Sequence, residues 1–372
     1  GDGYFIRVDA IETVLHGATD AGSCHAAETL LQMIQPGRRG SLFRAARPPS
    51  IPCLWAADWP AQAVRSLPAG CPVPPASDAA AAFLAAAARY KLNAVPRDSL
   101  PTDSAAFARL QELASRCSVR VVDAPPVLPA GPLGEVAHLW LRRGDAAAYG
   151  LAALGEATWA EGPLSPAEFR LRFARITFHA DAAAEAIALT EECLAAPAPR
   201  TPQDISRQAL ALADLTGDDA ARVAQQRKAH DRRGARVRQL WGGVHASPAL
   251  RDAFRELADV EISLWDATYA LADARRLCAA ASGTGGLTAR VLSSAARGLR
   301  KQAARIVAQT PALRQAKAVP PLDEALRLLE AIAGRLDAAA AATPPPSLDE
   351  IWKNCTGPGS FMRATIGQDS NG

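Results

Sequence analysis

A chain of 372 residues with a formal net charge of +3 is long enough for two or three domains and carries no general electrostatic pull toward nucleic acid or an anionic membrane. Hydrophobic residues make up 49% and aromatics 5%, so Ala and Leu carry the apolar fraction, which favours packed helices over β-sandwiches. No run reaches the roughly 18 apolar residues of a membrane span, so no transmembrane segment is expected.

Gly3 to Asp9 alternates apolar and polar residues as a half-buried strand does, and Ile11 to His16 reads as a second strand that should pair with it. From Gly17 the period changes: Ala27, Leu30, Leu31 and Ile34 fall on one helical face, and Pro36 ends the run. A basic, Pro-rich connector leads to Ile51-Pro52 and Asp58-Trp59-Pro60. Pro68, Pro72 and Pro74 then argue against a regular central strand after Arg65, because each proline removes a ladder donor. Ser77 to Tyr90 is an Ala-rich helix with Ser77 as N-cap, followed by a strand over Lys91–Pro96. A second helix (Asp103–Cys117) and strand (Ser118–Asp123) repeat that β/α step.

Pro125, Pro126, Pro129 and Pro132 form a linker, and Val136 to Arg142 is a short apolar run of ambiguous type. Ser165-Pro166-Ala167-Glu168 is a capping box with Pro at the first helical position. Beyond Ala182 only helices are expected. Thr201-Pro202 and Ser247-Pro248 open two of them, and Leu250, Phe254, Leu257, Leu264 and Leu271 mark a buried stripe over Pro248–Ala281. Further helices run over about Leu287–Gln309 and through Leu322, Leu326, Leu329 and Leu336, a spacing that predicts an antiparallel bundle. Gly283-Thr284-Gly285-Gly286 lacks a following GK[ST] and reads as a helix–helix turn rather than a phosphate loop.

Several of these positions together resemble the family-20 glycoside hydrolases, the β-N-acetylhexosaminidases. The first helix carries Ala18-Thr19, Gly22, Ala26, Thr29-Leu30 and Gln32, matching the family's A-T-x-x-G-x-x-x-A-x-x-T-L-x-Q pattern. Asp58-Trp59-Pro60 is similar to the turn that leads into the family's first barrel strand, Lys91-Leu92-Asn93 to its second, typically K-x-N, and Leu151 to Trp159 to its last, which implies a strand there. The resemblance implies a small α+β domain (1–50), a reduced, incomplete TIM-barrel-like β/α core (51–178), a helical bundle (179–346) and a C-terminal tail (347–372). Leu348 to Trp352 resembles the short Trp-containing segment that ends many bacterial relatives.

The window from about Ala61 to Thr177 is under half of the roughly 250 residues a complete barrel takes, so about four β/α units are missing. Family members work by substrate-assisted catalysis, with the substrate's acetamido group as nucleophile, a Glu as acid and an adjacent Asp. The segment that holds this Asp-Glu pair is the one missing here. The chain's own pairs, Asp323-Glu324 and Asp349-Glu350, sit near predicted helix starts, where carboxylates meet the helix dipole. No catalytic residue is assigned. The resemblance implies Arg65, Glu156 and Trp159 as remnants of an N-acetylhexosamine site, with Glu161 a further acid near its mouth. Trp159 also reads as a core Trp, and Trp55, Trp59, Trp140, Trp241 and Trp265 as packing groups.

Arg227, Lys228, Arg232, Arg233 and Arg236 form a basic run, read either as a solvated helix face or as a docking surface for an acidic protein or lipid headgroups. Seven widely spaced cysteines show no metal-ligand spacing, and no metal or other cofactor is expected. The chain begins at Gly1 without Met; a removed signal peptide gives a periplasmic or exported protein, a trimmed terminus leaves a cytoplasmic one open. The expected function is therefore a non-catalytic, glycosidase-like interaction or scaffold protein, a subunit of a larger assembly with protein partners. The alternative is a carbohydrate-binding protein or hexosaminidase with a rebuilt site. Nucleic acid is not an expected partner.

Overall fold

The computed structural model describes residues 2–34, 50–62, 64–68, 71, 73–74, 77–123, 131–159, 162, 164–284, 287–314, 318–343 and 345–353. Contacts divide the chain into two units, Gly1–Ala184 and Glu185–Gly372. Most described residues are helical, a few form small sheets, and no closed barrel is present among them. No described helix is long and apolar enough to cross a membrane.

The first unit opens with strands β1 (Tyr4–Val8) and β2 (Thr13–Gly17), helix α1 (Asp20–Met33) and strand β3 (Leu54–Asp58). The sheet order is β2-β1-β3, antiparallel throughout. The alternation seen in the sequence decides its faces: Tyr4, Ile6 and Val8 are buried against Ala26 and Trp159, while Phe5 and Arg7 point the other way. Asp9 makes the hairpin turn, its carboxylate accepting from the Ile11 and Glu12 amides at 2.9 and 2.8 Å. Thr19 caps α1, accepting from the Gly22 amide at 3.0 Å. The buried face of α1 differs from the expected stripe. It runs through Gly22, His25 and Ala26, and Leu31 is 54% exposed. Small residues win that face because α1 lies close on the sheet.

Two helix–strand steps follow: α2 (Ser77–Arg89) into β4 (Ala94–Pro96), and α3 (Ser104–Arg116) into β5 (Arg120–Val122). Both helices end in a non-glycine residue at positive φ, Lys91 at 64° and Ser118 at 58°. Each end is closed by a bond back into the helix, from the Leu92 amide to the Ala87 carbonyl at 3.0 Å and from the Val119 amide to the Ala114 carbonyl at 2.8 Å. The chain is thereby turned into a strand twice in the same way. β4 and β5 pair in parallel, and Ser66 makes a single parallel bridge to Ala94. Three neighbouring parallel positions are thus reached in chain order, the first of them only a bridge, as the prolines after Arg65 require.

After β5 come α4 (Pro132–Trp140), α5 (Ala147–Trp159), α6 (Pro166–Phe178) and the start of α7 (Ala182–Ala195). The strand expected over Leu151–Trp159 is therefore the second half of a helix. α5 is buried on nearly every side, so its residues are apolar all round and lose the 3.6-residue period that would mark a helix. The ambiguous Val136–Arg142 run belongs mostly to α4. The capping box of α6 forms as expected, Ser165 accepting from the Glu168 amide at 3.3 Å and Glu168 from the Ser165 amide at 3.0 Å.

In the second unit α7 continues into α8 (Pro202–Ala213), α9 (Gly217–Gly243), α10 (Pro248–Thr284), α11 (Ala289–Gln309), α12 (Pro311–Arg314), α13 (Pro320–Ala341) and α14 (Leu348–Lys353). α10 runs through Gly283, and the rest of the glycine-rich turn, 285–286, lies outside the described residues. Leu264, Leu271, Leu292, Leu299, Leu322, Leu329 and Leu336 meet in one core, to which α14 adds Ile351 and Trp352. α9 and α10 are antiparallel and paired along their length: Arg227 with Asp273, His230 with Asp266 at 3.2 Å, Arg238 with Asp259 at 2.8 Å, and Trp241 against Phe254 at 5.4 Å.

Candidate functional site

The chemistry-bearing residues of the first unit collect beneath the buried face of the β2-β1-β3 sheet. Arg65 follows β3, is fully buried, and has four of its side-chain N–H directions occupied. Nε donates to the Lys91 carbonyl at 2.7 Å and Nη1 to the Gln62 carbonyl at 2.8 Å. Nη2 donates to Asp2 Oδ2 at 2.8 Å and lies 3.5 Å from His25 Nε2. Asn93 completes this half, its amide donating to the same Asp2 oxygen at 2.9 Å while its carbonyl accepts from the Arg65 backbone.

The other half is built on Lys91, whose positive φ turns it back under the sheet. Nζ donates to Asp58 Oδ2 at 2.7 Å and to the Tyr4 hydroxyl at 2.8 Å. Tyr4 in turn donates to Asp58 at 2.8 Å and sits 2.8 Å from the Thr29 hydroxyl. Trp159, at the end of α5, joins the halves: the Arg65 guanidinium is 4.8 Å and the Lys91 ammonium 4.2 Å from its ring centroid. The Trp159 carbonyl accepts from the Ala61 amide at 2.8 Å, which fixes the helix end to the segment after β3. Its indole N–H adds to keeping Asp58 charged but makes no hydrogen bond of ordinary geometry.

Two cations and two carboxylates therefore balance inside one cluster. Burial raises the Asp2 carboxyl, but hydrogen bonds from Arg65 and Asn93 outweigh it and hold the group below its ordinary range. Asp58 follows the same pattern, with Lys91 as the main opposing partner. Burial, reinforced by the Arg65 guanidinium, pushes His25 down to about 4. Burial likewise lowers Lys91 against the pull of Asp58, and raises the Tyr4 phenol. At neutral pH both Asp groups are ionised, His25 is neutral with Nε2 facing a donor, and none of the three is placed as a general acid.

Of the residues expected at a sugar site, the structure brings Arg65 and Trp159 together. It leaves neither open, since Trp159 is 7% exposed and Arg65 0%. Glu156 lies one turn earlier on α5 and faces Arg172 at 3.7 Å. Glu161 lies outside the described residues. The two Asp-Glu pairs cap helices: Asp323 accepts from the Val319 amide at 3.0 Å, and Glu350 forms a capping box with Ser347 at 2.8 and 3.3 Å.

Three of the five cations in the basic run on α9 are paired with acids. Arg227 pairs with Asp273, Arg233 with Glu192 at 3.1 Å, and Arg236 with Glu185 at 2.8 Å. Among the described residues Lys228 and Arg232 alone of the five have no acidic partner. The acids lie on α7 and α10, far along the chain, so the sequence of α9 overstates its charge. Trp140 and Trp241 are buried as expected, but Trp55 and Trp59 are 75% and 66% exposed and are not packing groups.

The partners missed in the sequence are Asp2, Tyr4, His25 and Asp58. Lys91 and Asn93 carried a signal in the K-x-N pattern, and Lys91 another in following a helix that has no glycine at its C-terminal turn. Six cysteines, Cys24, Cys53, Cys71, Cys117, Cys193 and Cys278, are unpaired, and no group of three metal-ligating side chains is present among the described residues. No protein-family model, curated protein or solved structure matches the chain.

Proposed function

We propose that this chain is a non-catalytic, glycosidase-like protein that acts through interaction, as a scaffold or subunit of a larger assembly. The observation that carries the reading is the state of Arg65. A sugar-binding arginine must offer donors to hydroxyl groups, whereas this one has zero exposure and spends its donors on Lys91, Gln62, Asp2 and His25. Opening the cluster for a ligand would leave buried charges unpaired, at a cost of about 3–5 kcal/mol for a broken pair. The Arg65–Trp159–Lys91 cluster is then a latch that ties the N-terminal sheet to the following β/α steps.

The rival reading is a rebuilt N-acetylhexosamine site on Arg65, Glu156 and Trp159. Titration calorimetry of the full chain with N-acetylglucosamine separates the two. Flat heats at millimolar sugar support the latch; saturable binding that disappears in Trp159→Phe would establish the rival.

A further inference from the structure

The sheet has a second face, and it is aromatic. Residues 55 and 57 of β3 alternate onto the side away from α1, as do residues 5 and 7 of β1, which the register sets beside them, and Trp59 and Gly3 meet just beyond the paired ends of the two strands. Trp55 and Trp59 stand on this face at 75% and 66% exposure with only the small Ala57 between them.

Both rings are fixed. Trp55 meets Phe5 edge-on at 4.9 Å between centroids. Trp59 lies directly over Gly3, so close that a Cβ there would fall 2.1 Å from the indole Cδ1. A glycine is thus needed for the second indole to lie down on the strand.

We propose that this face binds a neutral, linear oligosaccharide, whose flat pyranose rings stack on Trp55 and Trp59. The proposal rests on the interaction reading above and gives it a ligand class. Three observations favour this occupant. The face carries little net charge, because its one arginine, Arg7, is neutralised by Asp9 and Glu12, so it has no pull for nucleic acid or a charged peptide. Its large exposed apolar side chains are two, Trp55 and Trp59, a narrow strip rather than the broad patch of about 800 Å² per partner that a stable protein interface buries. Four residues of strand set the two indoles about 13 Å apart, longer than one sugar ring, so the ligand is an oligomer lying along the strand.

The test uses the full chain and two probes, the hexamers of β-1,4-linked N-acetylglucosamine and of β-1,4-linked glucose, with calorimetry and tryptophan fluorescence as readouts. At least one hexamer should bind saturably while its monosaccharide does not. Trp55→Ala and Trp59→Ala should each weaken binding about tenfold or more, and Gly3→Ala, which displaces the Trp59 ring, should do the same. Trp265→Ala in the second unit should leave binding unchanged. Failure of both hexamers to bind, or binding indifferent to Trp55 and Trp59, overturns the proposal. So does a concentration-dependent dimer abolished by Trp55→Ala, which would give the face to a second copy of the chain. Hydrolysis of a hexamer would count against the non-catalytic reading alone and leave the Trp55 and Trp59 variants to decide this one.

Discussion

Asp2 and Arg65, 63 positions apart in sequence, form a 2.8 Å ion pair in which the guanidinium is fully buried and the carboxylate side chain is 18% exposed. The asymmetry makes the two partners unequal. Arg65→Gln leaves Asp2 and the Lys91 and Gln62 carbonyls short of donors in the interior, and should destabilise the first unit by about 3–5 kcal/mol. Asp2→Asn keeps an acceptor near water and should cost less. Native-state hydrogen exchange of the β1 and β4 amides in the two variants gives the comparison; equal losses would remove the distinction.

The pH dependence of stability has a defined sign. The His25 pKa falls from 6.5 to about 4 on folding, so between those values the unfolded chain binds a proton that the folded chain refuses. Stability therefore rises with pH through that window, by about 3 kcal/mol in all. Asp2 and Asp58, held below their ordinary range, add stability at neutral pH that is lost only as pH falls below the His25 window. Urea titrations at a series of pH values should show the slope, and His25→Gln, which keeps an acceptor for Arg65 and cannot titrate, should flatten it.

Much of the local structure was legible, and most of the site was not. The caps at Ser165 and Thr201 involve neighbours three residues apart, and each forms as expected. α5 failed for a physical reason: eleven of its thirteen residues are buried, so burial has no preferred side and leaves no helical period to read. The cluster failed because, the local Arg65–Gln62 bond apart, its bonds join residues 25 to 91 positions apart, beyond any local pattern. Arg65 and Trp159 were found through resemblance alone, and resemblance gave their place in the chain but not their state.

Glycines in two helices should respond oppositely to the same change. A Cβ on Gly155 of α5 would fall 2.1 Å from the Tyr90 carbonyl oxygen, so Gly155→Ala must displace either α5 or the end of α2 and should destabilise by about 2 kcal/mol or more. Gly298 of α11 has nothing within 4 Å of such a Cβ and is exposed in mid-helix. Gly298→Ala should stabilise by about 0.5–1 kcal/mol. Thermal unfolding of the two variants beside the parent checks both signs.

In the bundle, burial raises the Asp259 carboxyl despite the two arginines beside it, Arg238 at 2.8 Å and Arg255 at 3.5 Å. Arg238→Ala takes away the shorter of the two ion pairs of Asp259, and Asp259→Ala leaves Arg238 and Arg255 facing each other without their carboxylate. The double variant should cost less than the sum of the singles, and strict additivity would mean that the pair is not coupled.

We propose that the Arg65–Trp159 cluster holds the fold together and catalyses nothing. Its most direct test is the rate at which the purified full chain releases para-nitrophenol from para-nitrophenyl N-acetyl-β-glucosaminide. The account predicts a rate equal to that of buffer alone, for the parent and for Glu156→Gln alike. Turnover by the parent that is lost in Glu156→Gln would contradict it.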